Sequence, residues 1–497
     1  MIALITGFLS LILVIPHISG NQELYGIYAY VVSLSLYFTY ADIGFISSGQ
    51  KYASEAFARA ETEEEEKLLG FTIAVLICMF VPMIVIFIYC YLTPTSIFRD
   101  LSVEGAQVAS GLFLALSFLV PLQIILQRAV SMILSIRLLD FISTRIDIFF
   151  NMIKLSSLFY FFRQDSFMIV EYFYFCTFVT IIGSLIGCIY INYRVDFKLW
   201  QLLCSIRLSK EYYKKTKGLA FASAAITLGF VLYYELDLVL IGYLFGTKEI
   251  ATYAVALTFV AFLRRIWSII YSPVSVRLNH FVGLSERSEI ITLMNRVIYY
   301  SFPLCIVVTV TLVLSANSVV VAWVGPDYLE TTLLLQILVI SFFPAYLTNP
   351  GFHFFVSHGR RGYLYLLAIV LPLGFYIFIF LFYQALGVAS FAYGKIAVGM
   401  IELTICWVGL RNIIRPGAAI KKWVFPSVIW CLAATTLLPS IMAQFDLEAT
   451  KSSVRLLQIL FILGCFILLS YLAFLMVYKK DRLDVMYIAK LGLRKII

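Results

Sequence analysis

Long apolar runs separated by short polar connectors dominate this sequence. A helix that crosses a bilayer needs about 17–25 predominantly apolar residues, and fourteen runs of this kind can be placed along the chain. Only 13% of the residues are charged and 62% are hydrophobic, so too little polar surface remains to cover a soluble globule. The sequence therefore predicts an all-α polytopic membrane protein with about fourteen transmembrane helices. The predicted spans are 2–18, 25–41, 68–92, 105–127, 146–162, 167–191, 218–245, 250–271, 297–322, 331–355, 363–383, 388–410, 423–443 and 456–478.

Lysine and arginine are divided unequally between the connectors. The connectors after even-numbered helices, together with the C-terminal tail, carry 28 of the 37 basic residues, whereas those after odd-numbered helices carry 5. Basic residues accumulate on the cytoplasmic side of membrane proteins. We therefore predict that both termini are cytoplasmic. The same asymmetry accounts for the net charge of +9, so no nucleic-acid partner is predicted.

The most basic connector divides the predicted helices into two groups. A Tyr-Ala pair opens both the second and the eighth helix, and many transporters are built from such repeats. The basic tail is predicted to contact anionic membrane lipids. The predicted division is an N-terminal lobe over 1–191, a cytoplasmic basic linker over 192–217, a C-terminal lobe over 218–410, accessory helices over 411–478 and a cytoplasmic basic tail over 479–497.

Signatures of several other protein classes do not occur in the sequence. It contains no GxxxxGK[ST] phosphate loop, no HExxH and no GxSxG motif,. The nine cysteines form no CxxC pair, so neither a metal nor another cofactor is predicted. The outer connectors reach only about a dozen residues. We therefore predict a transporter, a flippase or a structural membrane protein, and no enzyme.

Several short segments resemble one transporter family. Leu24-Tyr25-Gly26-Ile27-Tyr28, followed by Tyr40-Ala41-Asp42-Ile43-Gly44-Phe45, is similar to the opening of Wzx-type polysaccharide flippases of the multidrug/oligosaccharidyl-lipid/polysaccharide (MOP) exporter superfamily. The resemblance covers roughly residues 20 to 365. Further matches, in order, are Asp237-Leu238-Val239-Leu240-Ile241-Gly242, Thr252-Tyr253-Ala254, Ser272-Pro273, Trp323-Val324-Gly325-Pro326-Asp327-Tyr328 and Ser357-His358-Gly359-Arg360.

The resemblance implies two six-helix lobes arranged as an inverted V, as in MATE transporters, with two further C-terminal helices. It implies transport of an undecaprenyl-diphosphate-linked oligosaccharide from the cytoplasmic to the outer leaflet of the bacterial inner membrane, for surface polysaccharide such as the O-antigen of lipopolysaccharide. A polysaccharide polymerase and a chain-length regulator are the implied protein partners.

Two predicted helices carry polar residues at helical spacing. The fifth carries Asp147, Asn151 and Lys154, and the twelfth carries Lys395 and Glu402; in each helix these residues fall on one face. A diphosphate and its sugars need a polar path through the membrane, so these residues are candidates for the substrate lumen. The alternative is that the charges on each helix are polar ties between packed helices.

Arg264 and Arg265 lie within the eighth predicted helix, about fifteen residues from its outer end. Adjacent positions differ by about 100° around a helix, so one arginine can face a cavity while the other extends to the inner interface. At least one of them is a candidate contact for the diphosphate. The alternative is that the helix ends here and both arginines mark the cytoplasmic boundary.

Three acidic residues in predicted spans are further candidates. Glu235 and Asp237 lie in the seventh helix, and a carboxylate at mid-bilayer costs about 2.5–3.5 kcal/mol. Either could carry H⁺ or Na⁺, and Asp237 is favoured because it lies in the family-like stretch; the alternative is a packing role. Asp42 is a candidate for gating, or for a structural pairing with Lys51 or Arg59.

Two other functions remain open at this point. One is a cation-coupled exporter of multiple drugs with the same fold, and the other is a membrane scaffold that transports nothing. The buried charges count against the scaffold, since scaffolding gives no reason to bury them. The basic residues within the spans favour the lipid-linked oligosaccharide over drugs.

Overall fold

The computed structural model describes residues 13–42, 44–98, 101–162, 168–195, 197–284, 286–411, 416–444 and 452–477. Contacts divide the chain into two compact units, Met1–Val255 and Ala256–Ile497. The first unit contains α1 (Gln22–Tyr40), α2 (Phe45–Ala58), α3 (Thr62–Leu92), α4 (Val103–Ile136), α5 (Asp140–Phe161), α6 (Ile169–Arg194), α7 (Leu199–Cys204), α8 (Lys210–Tyr234) and α9 (Asp237–Leu244). The boundary lies within α10 (Thr247–Gly283), and the second unit continues with α11 (Arg287–Val324), α12 (Glu330–Ile340), α13 (Ala345–Ser357), α14 (Arg361–Leu386), α15 (Ala389–Leu410), α16 (Pro416–Gln444) and α17 (Ser453–Val477).

The predicted all-α membrane fold is confirmed. Among the described residues, ten helical stretches are long and apolar enough to cross a membrane, and two bent pairs raise the number to twelve. Two of the fourteen predicted helices are not among these twelve. Most of the first lies outside the described residues, and the fifth, α5, is helical but carries Arg145, Asp147 and Lys154.

Two helices of the first unit lie outside the predicted spans. One is the short α7, and the other is α2, which falls between the second and third predicted spans and packs on α3 and α8. Gly44 precedes this helix with a φ of 72°, a left-handed conformation that favours glycine. This turn places the apolar side of α2, including Phe45, against Phe71 and Ala220.

The predicted seventh helix is interrupted. Its first part belongs to α8, in which the segments Lys210–Gly218 and Ser223–Tyr234 meet at 67°. The chain then breaks at Glu235 and Leu236 before α9 begins. Both helices pack on elements of the first unit. The predicted lobe boundary at the basic connector remains a prediction, and the predicted tail over 479–497 lies outside the described residues.

The acidic run Glu61–Glu66 forms specific ion pairs. The Glu65 side chain is 1% exposed, and its Oε1 accepts a hydrogen bond from Nη1 of Arg137 at 2.7 Å. Arg137 also lies over the rings of Phe57 and Phe197, 4.7 and 4.9 Å from their centroids. Glu64 pairs with Lys215 of the basic connector. We call Glu64, Glu65, Arg137 and Lys215 the Glu65 cluster; it connects α3 to the end of α4 and to the start of α8.

The second unit is built around the long helix α11, which packs on α12, α13, α16 and α17. Trp423 of α16 is fully buried and its ring contacts Tyr299 and Phe474. The tenth predicted helix is also broken here, because α12 and α13 meet at 51°. Pro344 lies in this break, where it supplies no backbone N–H to continue the first helix.

Candidate functional site

A cavity of about 350 Å³ lies inside the first unit, between α1, α4, α5 and α6. Its lining is mainly polar, although α1, α4 and α6 are among the candidate membrane spans. Polar groups facing hydrocarbon would be costly, so such a lining is expected to face water or a polar substrate. The polar residues that line it are Thr39, Gln127, Arg128, Ser131, Ser143, Asp147 and Ser184.

One wall of this cavity is a polar stripe on α4. Gln127, Arg128 and Ser131 lie on the same face because positions separated by three and four residues are neighbours on a helix. Nη2 of Arg128 donates a hydrogen bond to the carbonyl oxygen of Thr39 at 3.1 Å. Thr39 lies in the last turn of α1, where the helix dipole favours a nearby cation. Within the described residues, the guanidinium makes no other hydrogen bond, so its other N–H groups can donate to a ligand in the cavity.

The predicted spans do not include this stripe. The fourth predicted helix ends at residue 127, whereas α4 continues to Ile136. The signal was present in the sequence, because positions 124, 127, 128 and 131 have the spacing of one helix face. Arg128 makes this pattern difficult to recognise, because an arginine near the end of an apolar run usually marks the cytoplasmic interface.

The opposite wall carries one of the predicted lumen residues. Asp147 of α5 lines the cavity and its side chain is exposed. Asn151 and Lys154 follow on the same face, and Nζ of Lys154 donates to Oδ1 of Asn151 at 3.4 Å. Neither of them is among the lining residues of the cavity. The structure therefore brings Asp147 and Arg128 together in one cavity, a combination that the sequence did not predict.

Asp42 has a structural role at the start of α2. Its Oδ2 accepts from the backbone N–H of Ile46 at 3.1 Å, which satisfies one of the N–H groups left open at a helix N-terminus. The suggested pairing with Lys51 or Arg59 is wrong, because Lys51 pairs with Glu55 and Arg59 with Glu61. Arg128 attracts the Asp42 carboxylate electrostatically, so this residue lies close to the cavity.

The break between α8 and α9 is held by side chains of α1. Hydroxyl groups of Ser33 and Tyr37 donate to the carbonyl oxygen of Glu235 at 3.3 and 3.0 Å. Two residues further on, Asp237 is fully buried, and its Oδ2 accepts from the Tyr253 hydroxyl at 2.8 Å. Broken helices that bury a carboxylate are a common feature of ion and substrate sites in transporters.

Arg264 and Arg265 lie within a continuous helix. Arg264 is half-buried and Arg265 is exposed, in agreement with the expected angle between adjacent positions. The alternative that the helix ends at these residues is wrong, because α10 continues to Gly283. Arg264 is 17 residues from the start of α10, or about 26 Å along its axis, so it is close to the end of a layer about 30 Å thick.

The polar pair predicted on the twelfth helix lies on α15 of the second unit. Lys395 is buried, at 6% exposed, and its Nζ lies over the Phe375 ring, 4.0 Å from the centroid. This cation–π contact joins α15 to α14. Glu402 is half-buried two turns later. Among the described residues, no three His, Cys, Asp or Glu side chains lie close enough together to hold a metal ion.

No family model and no curated protein sequence matches the chain. Solved structures with a similar fold include a flippase and a transporter. The lipid II flippase MurJ in its inward closed conformation has a TM-score of 0.69 and 15% identity, with 97% of each chain covered. An inward-facing multidrug resistance MATE family transporter of the MOP superfamily has a TM-score of 0.66 and 13% identity, covering 84% of this chain and 96% of its own. The likeness is one of fold, and the chain therefore has the fold of MOP-type transporters.

Proposed function

We propose that this multi-pass membrane protein is a flippase for undecaprenyl-diphosphate-linked oligosaccharide repeat units. It would move them from the cytoplasmic to the outer leaflet of a bacterial inner membrane by alternating access, for surface polysaccharide such as O-antigen. Both termini would be cytoplasmic, and a polysaccharide polymerase and a chain-length regulator would act on the product.

The observation that carries this proposal is the polar cavity around Arg128 and Asp147. A path through the membrane for sugars needs hydrogen-bonding groups in place of water. The MurJ structure adds support, because that protein is named a lipid II flippase and the match spans 97% of both chains. The cavity also argues against a scaffold that transports nothing. In such a protein, polar side chains around a cavity would be energetically unfavourable and would have no function.

Transport by the purified protein tests the proposal directly. Vesicles containing the full chain are expected to move a fluorescent polyprenyl diphosphate carrying a short oligosaccharide between leaflets faster than protein-free vesicles. The control substrate is the same polyprenol without diphosphate or sugar. Equal rates with and without protein would contradict the proposal.

The two arginines of α10 provide a prediction about the diphosphate. A guanidinium binds phosphate oxygens through two parallel hydrogen bonds, and hydrogen bonds to charged groups contribute about 1.5–3 kcal/mol each. Replacing Arg264 and Arg265 together with glutamine is therefore expected to lower the transport rate by about tenfold or more. The matched control is Arg277→Gln, because Arg277 is exposed near the end of the same helix.

Surface glycan in cells measures the same loss, provided that the amount of protein in the membrane is unchanged. If the double variant displays normal glycan, both arginines are interface residues and the diphosphate is held elsewhere.

The second candidate function is a cation-coupled drug exporter. The MATE-like fold and the buried Asp237 favour it, since a buried carboxylate is a suitable carrier of H⁺ or Na⁺. Efflux of an amphipathic cationic dye from vesicles distinguishes the two functions. The exporter is favoured if an imposed H⁺ or Na⁺ gradient drives dye transport while the lipid-linked oligosaccharide stays in its leaflet.

Asp237 allows a prediction about coupling in either case. Asp237→Asn is expected to remove the response of transport to an imposed pH or Na⁺ gradient, because the amide cannot exchange a proton or provide a negative charge. The amide oxygen can still accept from Tyr253, so folding is expected to be maintained. The response to voltage is expected to remain, because a diphosphate with about two negative charges gains about 2.3 kcal/mol per charge per 100 mV.

Glu235→Gln is the comparison, because Glu235 is the other candidate at the same helix break. Loss of the gradient response in this variant alone would assign coupling to Glu235. An unchanged response in both variants would exclude both carboxylates as the coupling site.

A further inference from the structure

We propose that the cavity between α1, α4, α5 and α6 is a subsite for an uncharged sugar residue of the transported oligosaccharide, and that Asp147 excludes acidic sugars from it. The inference rests on the proposed function and names the class of sugar that this function would accept.

The charges of the cavity point to a neutral ligand. Among the described residues that line it, Arg128 and Asp147 are the ionisable ones, and they have opposite signs. A phosphate or a uronic acid would meet the Asp147 carboxylate, and like charges brought together in a partly desolvated site cost several kcal/mol. A cation would meet Arg128 in the same way. An uncharged ligand avoids both repulsions.

The hydrogen-bonding groups point to a ligand with many hydroxyls. Within the described residues, no side-chain hydrogen bond engages Gln127, Ser131 or Asp147, although all three line the cavity. A carboxylate only accepts, a guanidinium only donates, and an amide and a hydroxyl do both. Adjacent hydroxyls of a pyranose donate and accept alternately, so they match this set. An apolar drug would leave these groups without partners, at about 1–3 kcal/mol for each one buried.

The size of the cavity fits a small part of the substrate. Its volume of about 350 Å³ is at the lower end of the roughly 300–1,000 Å³ typical of small-molecule sites. It is therefore large enough for one or two sugar rings. The anchoring of Arg128 on the Thr39 carbonyl fixes the direction of its remaining N–H groups, which favours one orientation of the bound ring.

The experiment compares two lipids that differ in one sugar. Vesicles containing the full chain are supplied with a polyprenyl diphosphate carrying either a neutral disaccharide or the same disaccharide with a terminal uronic acid. The parent protein is expected to transport the neutral lipid about tenfold faster. Asp147→Asn is expected to remove most of this preference by accelerating the acidic lipid. Asp140→Asn is the matched control, because Asp140 is an exposed carboxylate two turns earlier on the same helix and does not line the cavity.

Binding to the detergent-solubilised full chain gives a second readout. Methyl glycosides of a neutral hexose and of the corresponding uronic acid are titrated into the parent protein and both variants. The proposed subsite is wrong if the parent protein transports and binds the neutral and acidic sugars equally well. It is also wrong if Asp147→Asn keeps the parent's preference for the neutral sugar. If neither lipid is transported, the proposed function fails, and the binding titrations alone decide whether the cavity selects neutral sugars.

Discussion

Replacing Glu65 with alanine is expected to destabilise the protein by about 3–5 kcal/mol, because it leaves the Arg137 guanidinium buried without its partner. The two side chains are 1% and 11% exposed, so water cannot replace the lost carboxylate. Phe57 and Phe197 on either side of Arg137 further prevent its solvation. Thermal unfolding of the purified protein in detergent measures the effect as a lowered Tm.

Two further variants test whether the lost stability of Glu65→Ala comes from the broken ion pair. Glu63→Ala removes a carboxylate that is 81% exposed on the same turn of α3, and it is expected to change stability by less than about 0.5 kcal/mol. The double variant Glu65→Leu with Arg137→Leu is expected to recover most of the loss, because apolar residues often replace a buried ion pair at little cost. A Tm for Glu65→Ala equal to that of Glu63→Ala would show that the pair is not buried in solution.

Replacing Gly26 with alanine is expected to destabilise the protein nearly as much as Glu65→Ala. A Cβ at this position would lie 2.0 Å from the carbonyl oxygen of Thr247, so α1 and the start of α10 would have to separate. Overpacking costs about 1–3 kcal/mol and sometimes more, and the upper part of this range applies because the obstacle is backbone. Detergent-extracted Gly26→Ala is expected to show a lower Tm and a smaller folded fraction.

Gly464→Ala is the matched control for this change. Gly464 also lies inside a predicted membrane helix, α17, but no atom of the described residues lies within 4 Å of the Cβ that it would gain. Because alanine favours helix by about 1 kcal/mol over glycine, this variant is expected to be as stable as the parent or slightly more stable. Similar Tm values for Gly26→Ala and Gly464→Ala would contradict the close contact between α1 and Thr247.

Close contacts of this kind explain why short motifs in the sequence carry structural information. Gly26 belongs to the segment that resembles the opening of the flippase family, and Thr247 lies six residues before Tyr253 of the second Tyr-Ala pair. The structure packs the starts of α1 and α10 against each other.

The class of protein and most of its helices can be predicted from the sequence. Runs of apolar residues specify membrane helices because the bilayer requires about 20 of them in succession and every backbone group must be satisfied within the helix. The spacing of Asp147, Asn151 and Lys154 correctly predicted a shared face, since helical periodicity is a local property. Each of these inferences needs only residues that are neighbours along the chain.

The places where the chain departs from these local rules depend on contacts between residues that are distant in the sequence. The helix break at Glu235 depends on hydroxyls of Ser33 and Tyr37, about 200 residues earlier. Glu65 is buried because Arg137, 72 residues away, neutralises it. Arg128 is tolerated inside a helix because its guanidinium donates a hydrogen bond to the Thr39 carbonyl oxygen. In each case a polar or charged group in an apolar region is stabilised by a partner distant in sequence, and hydropathy along the chain carries no information about that partner.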